Sequence, residues 1–547
     1  MHKKSILILG ASIMQIPAIR TARTLGCRAL VVDGDPDAVG RAEADVFERV
    51  DLKDLEGLVS CARSWKQQYG LDGVFTAGTD FSASVAYLAE QLNLPGIPYQ
   101  TALDASNKAR MRRRFTAAGV PSPRFVELGE GRLEELERIG LSFPLVVKPV
   151  DNMGARGVVR VDSAGDLYEK IHDSIRYSRT RTVIVEEFIE GPEFSLDALI
   201  YGGRIQVCGF ADRHIRFPPY FVEVGHTIPT EAPKEIQEEV LSTFIKGIQA
   251  LGIDQGAAKG DIFFSRGRGV VGEIAARLSG GYMSGWTYPY SSGVNLTEGA
   301  LKIALGEDPG DRTPKLSNTS AERALISIPG TVGEIIGMED ARNIPEVRDI
   351  FLRVREGSPV VFPTNNVEKC GNIITVSESA RDSVEGAEEA VSTILFRLDP
   401  SDESTDTFLF SSSWNDGRSC FPMDSILIKS IQQMPWYQQN TDSMRREGDR
   451  FCLPGFPIPV LPFPFSPDIK SWNYLTILQL LERLRSLSGF WADAPWVGRL
   501  VPGGVFWYAL YRGGFQGVVW VFDVFSRCKT LEEVKEKVEE WSFAVRY

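Results

Sequence analysis

Cysteine and histidine are scarce in this sequence: 547 residues hold 7 Cys and 4 His. The cysteines, at positions 27, 61, 208, 370, 420, 452 and 528, are odd in number and scattered, and no CxxC pair occurs. A disulfide framework and a zinc ribbon are therefore excluded, and reduced cytoplasm is the expected compartment. Long hydrophobic runs are missing as well. No segment reaches the roughly 18 consecutive apolar residues of a membrane span. The short run behind Lys3-Lys4 ends at Gly10 with no small-residue cleavage site, so it is not a signal peptide. Positive charge is in deficit, 60 Lys+Arg against 72 Asp+Glu for a net −12, which argues against nucleic acid as a partner. Local basic clusters such as Arg110, Arg112, Arg113 and Arg114 remain candidate anion sites. Neither a Walker sequence nor a GxGxxG fingerprint is present.

What is there is ordinary globular composition, 43% hydrophobic, 24% charged and 10% aromatic. The length predicts about three to five domains. Residues 1–106 alternate buried-strand runs (Ile6–Leu9, Ala29–Asp33, Gly73–Thr76) with amphipathic helices, the rhythm of a parallel sheet whose ligands lie at the carboxyl ends of its strands. Ser12, Asp33 and Thr79-Asp80 occupy those ends. Residues 107–320 mix helices and paired strands, and residues 321–400 read as a small α/β piece. A Ser/Asp/Thr-rich linker is expected over 401–418. Beyond it, 419–547 is aromatic-rich and expected as a separate α+β domain. It contains a run of alternating prolines (454, 457, 459, 462, 464 and 467), a helix over Ser471–Leu487 and a hairpin of Val505–Tyr511 with Gly517–Asp523. A helix from Thr530, with Glu533 completing a capping box, closes the chain.

Three features carry chemistry. Lys148 ends the apolar strand Phe143–Lys148 and is followed by the glycine loop Met153-Gly154-Ala155-Arg156-Gly157. An ammonium beside a loop of backbone N–H groups suits a triphosphate, although a snorkelling lysine before a plain hairpin looks alike. The strand Val183–Val185 runs into Glu186-Glu187-Phe188-Ile189, where one carboxylate suits an exocyclic amine, another suits ribose hydroxyls, and Phe188 and Ile189 suit a base slot. Ordinary surface glutamates would read the same way. Paired strands then put Asp261 and Glu273 in apolar settings, with Arg277 four residues beyond. Two buried carboxylates are costly unless partnered, and a hard divalent cation bridging them to phosphate would resolve that. A structural carboxylate–Arg pair is the competing explanation.

In this order and spacing the features resemble the ATP-grasp superfamily, in its carboxylate–amine ligase branch. The likeness runs over residues 1–400, through GVFTAGTDFSASVAYLAEQLNLPG, NKARMRRRFTAAGVPSP, FPLVVKPVDNMGARGV, VIVEEFIEGPEFSLDAL and GDIFFSRGRGVVGEIAARLSGG. It implies an α/β protein: a pre-ATP-grasp parallel-sheet domain, a two-lobed ATP-grasp α+β fold and a small α/β C-terminal subdomain, followed here by the extra α+β tail. It implies ATP with Mg²⁺, or Mn²⁺ in its place. Lys108 and Lys148 would be the nucleotide lysines, and the Met153–Gly157 loop would close over the triphosphate. Glu186, Glu187, Phe188 and Ile189 would hold adenine largely through backbone groups, and Glu193 the ribose. Asp261 and Glu273 would bind metal, and Arg277 would stabilise the transferred phosphate and an acyl-phosphate.

Residues 217–227 also look like the substrate strand of such ligases, with Glu223 and His226 facing an amino or carboxylate group or a second metal, and Arg213 and His214 as further candidates. A structural role for His226 is the alternative. Ser279, Gly280 and Gly281 would line an acyl-phosphate pocket through backbone N–H groups, unless they form a plain turn. One departure stands out: the family usually places Asn two residues after the second metal carboxylate, and this chain has Ala275.

The implied activity joins a small-molecule carboxylate to an amine, with release of ADP and phosphate. Its rivals are a bicarbonate-activating enzyme resembling biotin carboxylase or carbamoyl phosphate synthase, and a catalytically weak ATP-binding scaffold. Analogy with pre-ATP-grasp enzymes implies a homodimer. The aromatic tail offers either a protein-binding surface or, in the simpler reading, its own core.

Overall fold

The computed structural model describes residues 3–130, 140–411, 417–422, 425–433, 437–439, 452–453, 456–457, 468–491 and 500–546. Its contacts divide into two units, one of residues 1–322 with 374–384 and one of 323–373 with 385–547.

The first unit begins with β1 (Ser5–Leu9), α1 (Ile16–Thr24), β2 (Arg28–Asp33), β3 (Val46–Arg49), α2 (Leu55–Tyr69), β4 (Gly73–Phe75), α3 (Ser82–Gln91) and α4 (Tyr99–Ser106). The four strands pair in the order β3-β2-β1-β4, all parallel, as the sequence rhythm predicts. Every residue of β1 is buried because helices cover both faces of the sheet.

Next come α5 (Lys108–Ala118), β5 (Phe125–Gly129), β6 (Leu145–Pro149), β7 (Val159–Val161), α6 (Ala164–Ile175) and β8 (Thr182–Glu187). Asn107 caps α5 by accepting from the Arg110 amide at 3.1 Å, and Gly119 ends it in a left-handed turn at φ 67°. The antiparallel sheet β5-β8-β6-β7 packs on α6 around Leu128, Leu145, Val147, Ile171 and Val183, forming the smaller lobe. The larger lobe is built on β9 (Glu193–Tyr201), β10 (Arg204–Arg216), β11 (Val222–Ile228), α7 (Lys234–Leu251), β12 (Gly256–Ser265) and β13 (Arg268–Ala275). These strands lie antiparallel in the order β13-β12-β9-β10-β11. Phe244 and Ile248 of α7 pack under them with Ile262 and Ile274.

The register of the larger lobe decides what shares a face. Asp261 pairs with Ser195 on one side and Glu273 on the other, and Lys259 pairs with Asp197 and Ala275. Arg213 pairs with Glu193 and His226. With a period of two, these polar residues project from the same side of the sheet.

The second unit holds the antiparallel strands Pro359–Val360, Gly330–Ile336 and Leu395–Leu398, and helices that include Ile477–Ser486, Gly504–Arg527 and Leu531–Arg546. The tail is not a separate body: Asp523 accepts from both Arg397 and Trp491, and Gln516 donates to Ser327 and the Phe396 carbonyl. The stretch expected as a linker is helical over Glu403–Asp406 and Thr407–Ser411, where Phe408, Leu409 and Phe410 are buried. Its Ser and Asp residues supply caps and turns, while its Phe-Leu-Phe core packs.

The expected hairpin at 505–523 is a correction. Both runs are helical, bent where Gly514 takes φ 61° and ψ −147°. Short apolar runs read alike as buried strand or buried helix, and here burial surrounds the whole segment. A Cβ at Gly514 would lie 2.4 Å from the Cys420 sulfur, at a φ that disfavours side chains. Gly514→Ala should therefore lower stability by more than about 1 kcal/mol, read as an earlier midpoint in urea. The chain closes as expected with a helix beyond Thr530, whose hydroxyl accepts from the Glu533 amide at 3.2 Å. The Glu533 carboxylate takes the Lys529 N–H instead of the capping residue's own. Of the alternating prolines, all but Pro457 lie outside the described residues. Among the described residues no helix is long and apolar enough to cross a membrane.

Candidate active site

Each arginine of the four-arginine cluster on α5 has a carboxylate partner within the protein. Arg110 and Arg114 pair with Asp104, and Arg113 pairs with Glu127. Arg112 turns inward and is 0% exposed. Its Nε donates to Glu186 at 2.6 Å and its Nη2 to the Gly272 carbonyl at 2.6 Å. Lys148, on β6, reaches the other Glu186 oxygen at 2.8 Å. Burial alone would raise the Glu186 carboxyl, but Arg112 and Lys148 outweigh it and hold the group at about 2. The Glu186 carboxylate thus orients Lys148 and is not available to an exocyclic amine. Glu187 points outward to Arg124. A base slot here rests on backbone groups and on Phe188, whose ring sits 6.3 Å from Phe221 and 4.6 Å from the Arg160 guanidinium.

Lys108 opens α5 nearly buried, with its ammonium 2.8 Å from the Asn152 carbonyl and 3.5 Å from Glu273. The glycine loop beside it is sharply folded. Gly154, Ala155 and Gly157 all take positive φ, and Arg156 Nε donates to the Met153 carbonyl at 3.0 Å. Ala155 at φ 59° is held where L-residues are disfavoured.

On the larger lobe Arg213 gathers three carboxylates: Glu193 at 2.7 Å, Glu223 at 2.9 Å and Asp261 at 3.7 Å. Asp261 also accepts from Ser195 at 2.8 Å and pairs with Lys259. Burial opposes its charge, yet Arg213 and Lys259 hold it at about 2. Burial pushes Glu193 up, and Arg213 offsets only part of that. Glu273 is desolvated but kept below the usual range by Lys108 and Lys259. Asp261 and Glu273, side by side on β12 and β13, offer only hard oxygen donors. Among the described residues no group of three or more His, Cys, Asp or Glu could hold a metal unaided. The pair therefore suits a divalent cation whose remaining ligands are phosphate oxygens and water.

Arg277, two residues past β13, donates from Nε to the Thr79 carbonyl and from Nη1 to the Leu278 carbonyl, both at 3.0 Å. Among the described residues it has no ion-pair partner. The N-terminal domain clasps this loop further. Gly78 donates to the Leu278 carbonyl at 3.2 Å, Ala77 bridges Leu278, and a Cβ on Gly78 would lie 3.0 Å from the Gly280 Cα.

Ser279 is tied to Asp197. Its amide and hydroxyl both donate to buried Asp197, at 2.8 and 2.5 Å, so neither is free for an acyl-phosphate. Burial raises Asp197 despite those bonds. The Gly280 carbonyl accepts from the Met283 amide. His226 is buried, with Nδ1 2.8 Å from fully buried Glu322 and Nε2 3.7 Å from Glu223. His214 meets Thr227 at 3.0 Å.

Sequence reasoning passed over Asp197, Lys259 and the buried pairing of Arg112 with Glu186. The available signal was a charged residue inside an apolar strand for Asp197, and proximity to the Asp261 motif for Lys259. For Arg112 there was none within its basic cluster.

Three family models match the chain: an ATP-grasp N-terminal domain over 19–96, an ATP-grasp domain over 141–285, and the L-amino acid ligase C-terminal domain 2 over 323–399. A D-alanine–D-alanine ligase of Desulforudis audaxviator is 31% identical over 34% of this chain and 63% of its own. The L-arginine-specific L-amino acid ligase of Bacillus subtilis is 24% identical over 50% of this chain and 67% of its own. The crystal structure of an L-amino acid ligase from Bacillus licheniformis superposes with a TM-score of 0.65 and 26% identity, covering 73% of this chain and all of that one. The chain thus carries the domains of the ATP-grasp superfamily, and the ligases it resembles support the carboxylate–amine ligase branch. These relatives support an ADP-forming carbon–nitrogen ligase; ATP-grasp ligases in general use ATP and a divalent metal, and small-molecule carboxylate and amine substrates agree with the ligases that this chain resembles.

Proposed function

We propose that this ligase joins amino acids, activating the carboxylate of one on Mg²⁺·ATP and coupling it to the amino group of another. The observation that carries the reading is Arg277, a guanidinium fixed by two carbonyls and without a carboxylate partner among the described residues, just past the strand of Glu273. Such a group suits charge developing on a transferred phosphoryl. The L-amino acid ligase match beyond residue 322 and the amino acid ligases among the relatives favour amino acids as substrates.

Lys148, aimed by Glu186, and Lys108 neutralise phosphate oxygens, and the Met153–Gly157 loop offers backbone N–H groups to them. Asp261 and Glu273 would hold a divalent metal, which would supply further charge neutralisation when bound; Mg²⁺ suits these oxygen donors, with Mn²⁺ as its substitute. The substrate carboxylate attacks the γ-phosphorus and ADP leaves. The amine then attacks the acyl carbon and phosphate leaves, closing the amide. Glu223, held by Arg213 beside His226, is the carboxylate we assign to an amino group of the substrate. No nucleophilic side chain is required, because positioning and charge do the work.

The test is ADP and phosphate release from Mg·ATP with paired amino acids, with the product identified by mass. ADP release that depends on the amino acids and is matched by dipeptide formation is expected, with Lys148→Ala weakening nucleotide binding and Glu273→Ala abolishing turnover. Release of AMP and pyrophosphate, or ADP release that follows bicarbonate and ignores amino acids, would overturn the reading.

A further inference from the structure

The metal-bearing face of the larger lobe contains a cation of its own. Lys259 lies on β12 two residues before Asp261, and the sheet register places it between Asp197 on β9 and Ala275 on β13. Its side chain is mostly buried, at 16% exposure, and its ammonium pairs with the Asp261 carboxylate. Directly across, Ala275 presents a methyl group where a carbonyl or carboxylate oxygen would be needed to complete a second metal site. On the same strand Glu273 lies directly across from Asp261, with Lys108 3.5 Å from it. Thus Asp261 faces the Glu273 carboxylate across the strands and meets an ammonium toward Ala275. One divalent ion fits between the two carboxylates. A second, on the Ala275 side, would have to share Asp261 with an ammonium and would find no side-chain oxygen at position 275, where the carbonyl already accepts from the Arg277 amide, so like-charge repulsion there is unrelieved.

We propose that Lys259 serves as a built-in cation in place of a second divalent ion, so that the chain binds one metal with its nucleotide and Lys259 neutralises the phosphates from the Ala275 side. The proposal rests on the ATP-dependent reading above and adds the ion count and a third phosphate-facing lysine. Asp197, whose oxygens take both Ser279 donors, keeps the Lys259 stem flanked by a fixed carboxylate.

The experiment counts ions without asking for turnover. The full chain is titrated with Mn²⁺ in the presence of the non-hydrolysable analogue adenylyl imidodiphosphate, and free and bound Mn²⁺ are read by electron paramagnetic resonance. The wild type should take up a single nucleotide-dependent Mn²⁺ with an uncoupled spectrum. The double variant Lys259→Ala/Ala275→Asn should take up a second, with spin coupling between the two. Lys259→Met should lose about tenfold in analogue affinity at saturating Mn²⁺, and Lys259→Arg should recover most of it. Two coupled ions in the wild type, or undiminished affinity in a folded Lys259→Met, would overturn the proposal while leaving the ligase reading intact. No nucleotide-dependent Mn²⁺ uptake in any variant would overturn both.

Discussion

Arg112→Met is expected to destabilise the first unit by about 3–5 kcal/mol, the cost of leaving one member of a buried ion pair uncompensated. The argument rests on how thoroughly the pair is enclosed. Arg112 is fully buried, Glu186 is 1% exposed, and each depends on the other and on a few fixed neighbours. Removing the guanidinium leaves Glu186 with Lys148 alone and the Gly272 carbonyl without its donor. The double variant Arg112→Met/Glu186→Gln should regain much of the loss, since the charge that needs a partner is gone. A double-mutant cycle in urea reads this directly. Acid adds a second signature. The Glu186 carboxyl titrates near 2 in the fold against 4.5 in an open chain. As pH falls, the unfolded chain takes the proton first. The stability this group contributes is therefore complete above pH 4.5 and is lost between there and about pH 2. Glu186→Gln should remove that part of the acid limb.

Arg277→Met is expected to lower kcat by about 10²–10³-fold while nucleotide affinity stays near wild type, the pattern of a group that acts on charge developing in the transition state. Two carbonyls, from Thr79 and Leu278, fix the guanidinium, so its position is set before any ligand arrives. Arg277→Lys should recover little, because an ammonium cannot meet both carbonyls and still face the phosphoryl group as a planar fork does. ADP release gives kcat, and titration with the non-hydrolysable analogue gives affinity. An equal loss of both would make Arg277 a nucleotide-binding residue instead.

What could be read in advance was the set of charged residues that end apolar strands. Lys148, Glu186, Asp261 and Glu273 stand out because a charge in a run of Val and Ile demands a partner, and the parallel N-terminal sheet follows from its strand–helix rhythm. What could not be read was which partner each charge takes. Arg112 is one of four arginines within five positions, and only the packing of α5 shows which of them turns inward. Ser279 and Gly280 looked like ligand-facing backbone, but Asp197, one strand away in space and 82 residues away in sequence, takes both Ser279 donors. The helices near 505–523 were misread because their burial on all sides erases the periodicity that separates helix from strand.

The clasp between residues 77–79 and 277–280 has a consequence for how such a protein can be recombined. A Cβ at Gly78, which already takes φ 60°, would crowd the Gly280 Cα at 3.0 Å, and the carbonyl that aims Arg277 comes from the other domain. The N-terminal sheet is therefore not an interchangeable module. A graft of a relative's first hundred residues onto this chain should fold yet run slowly, until the donor's own loop at 277–281 is brought with it.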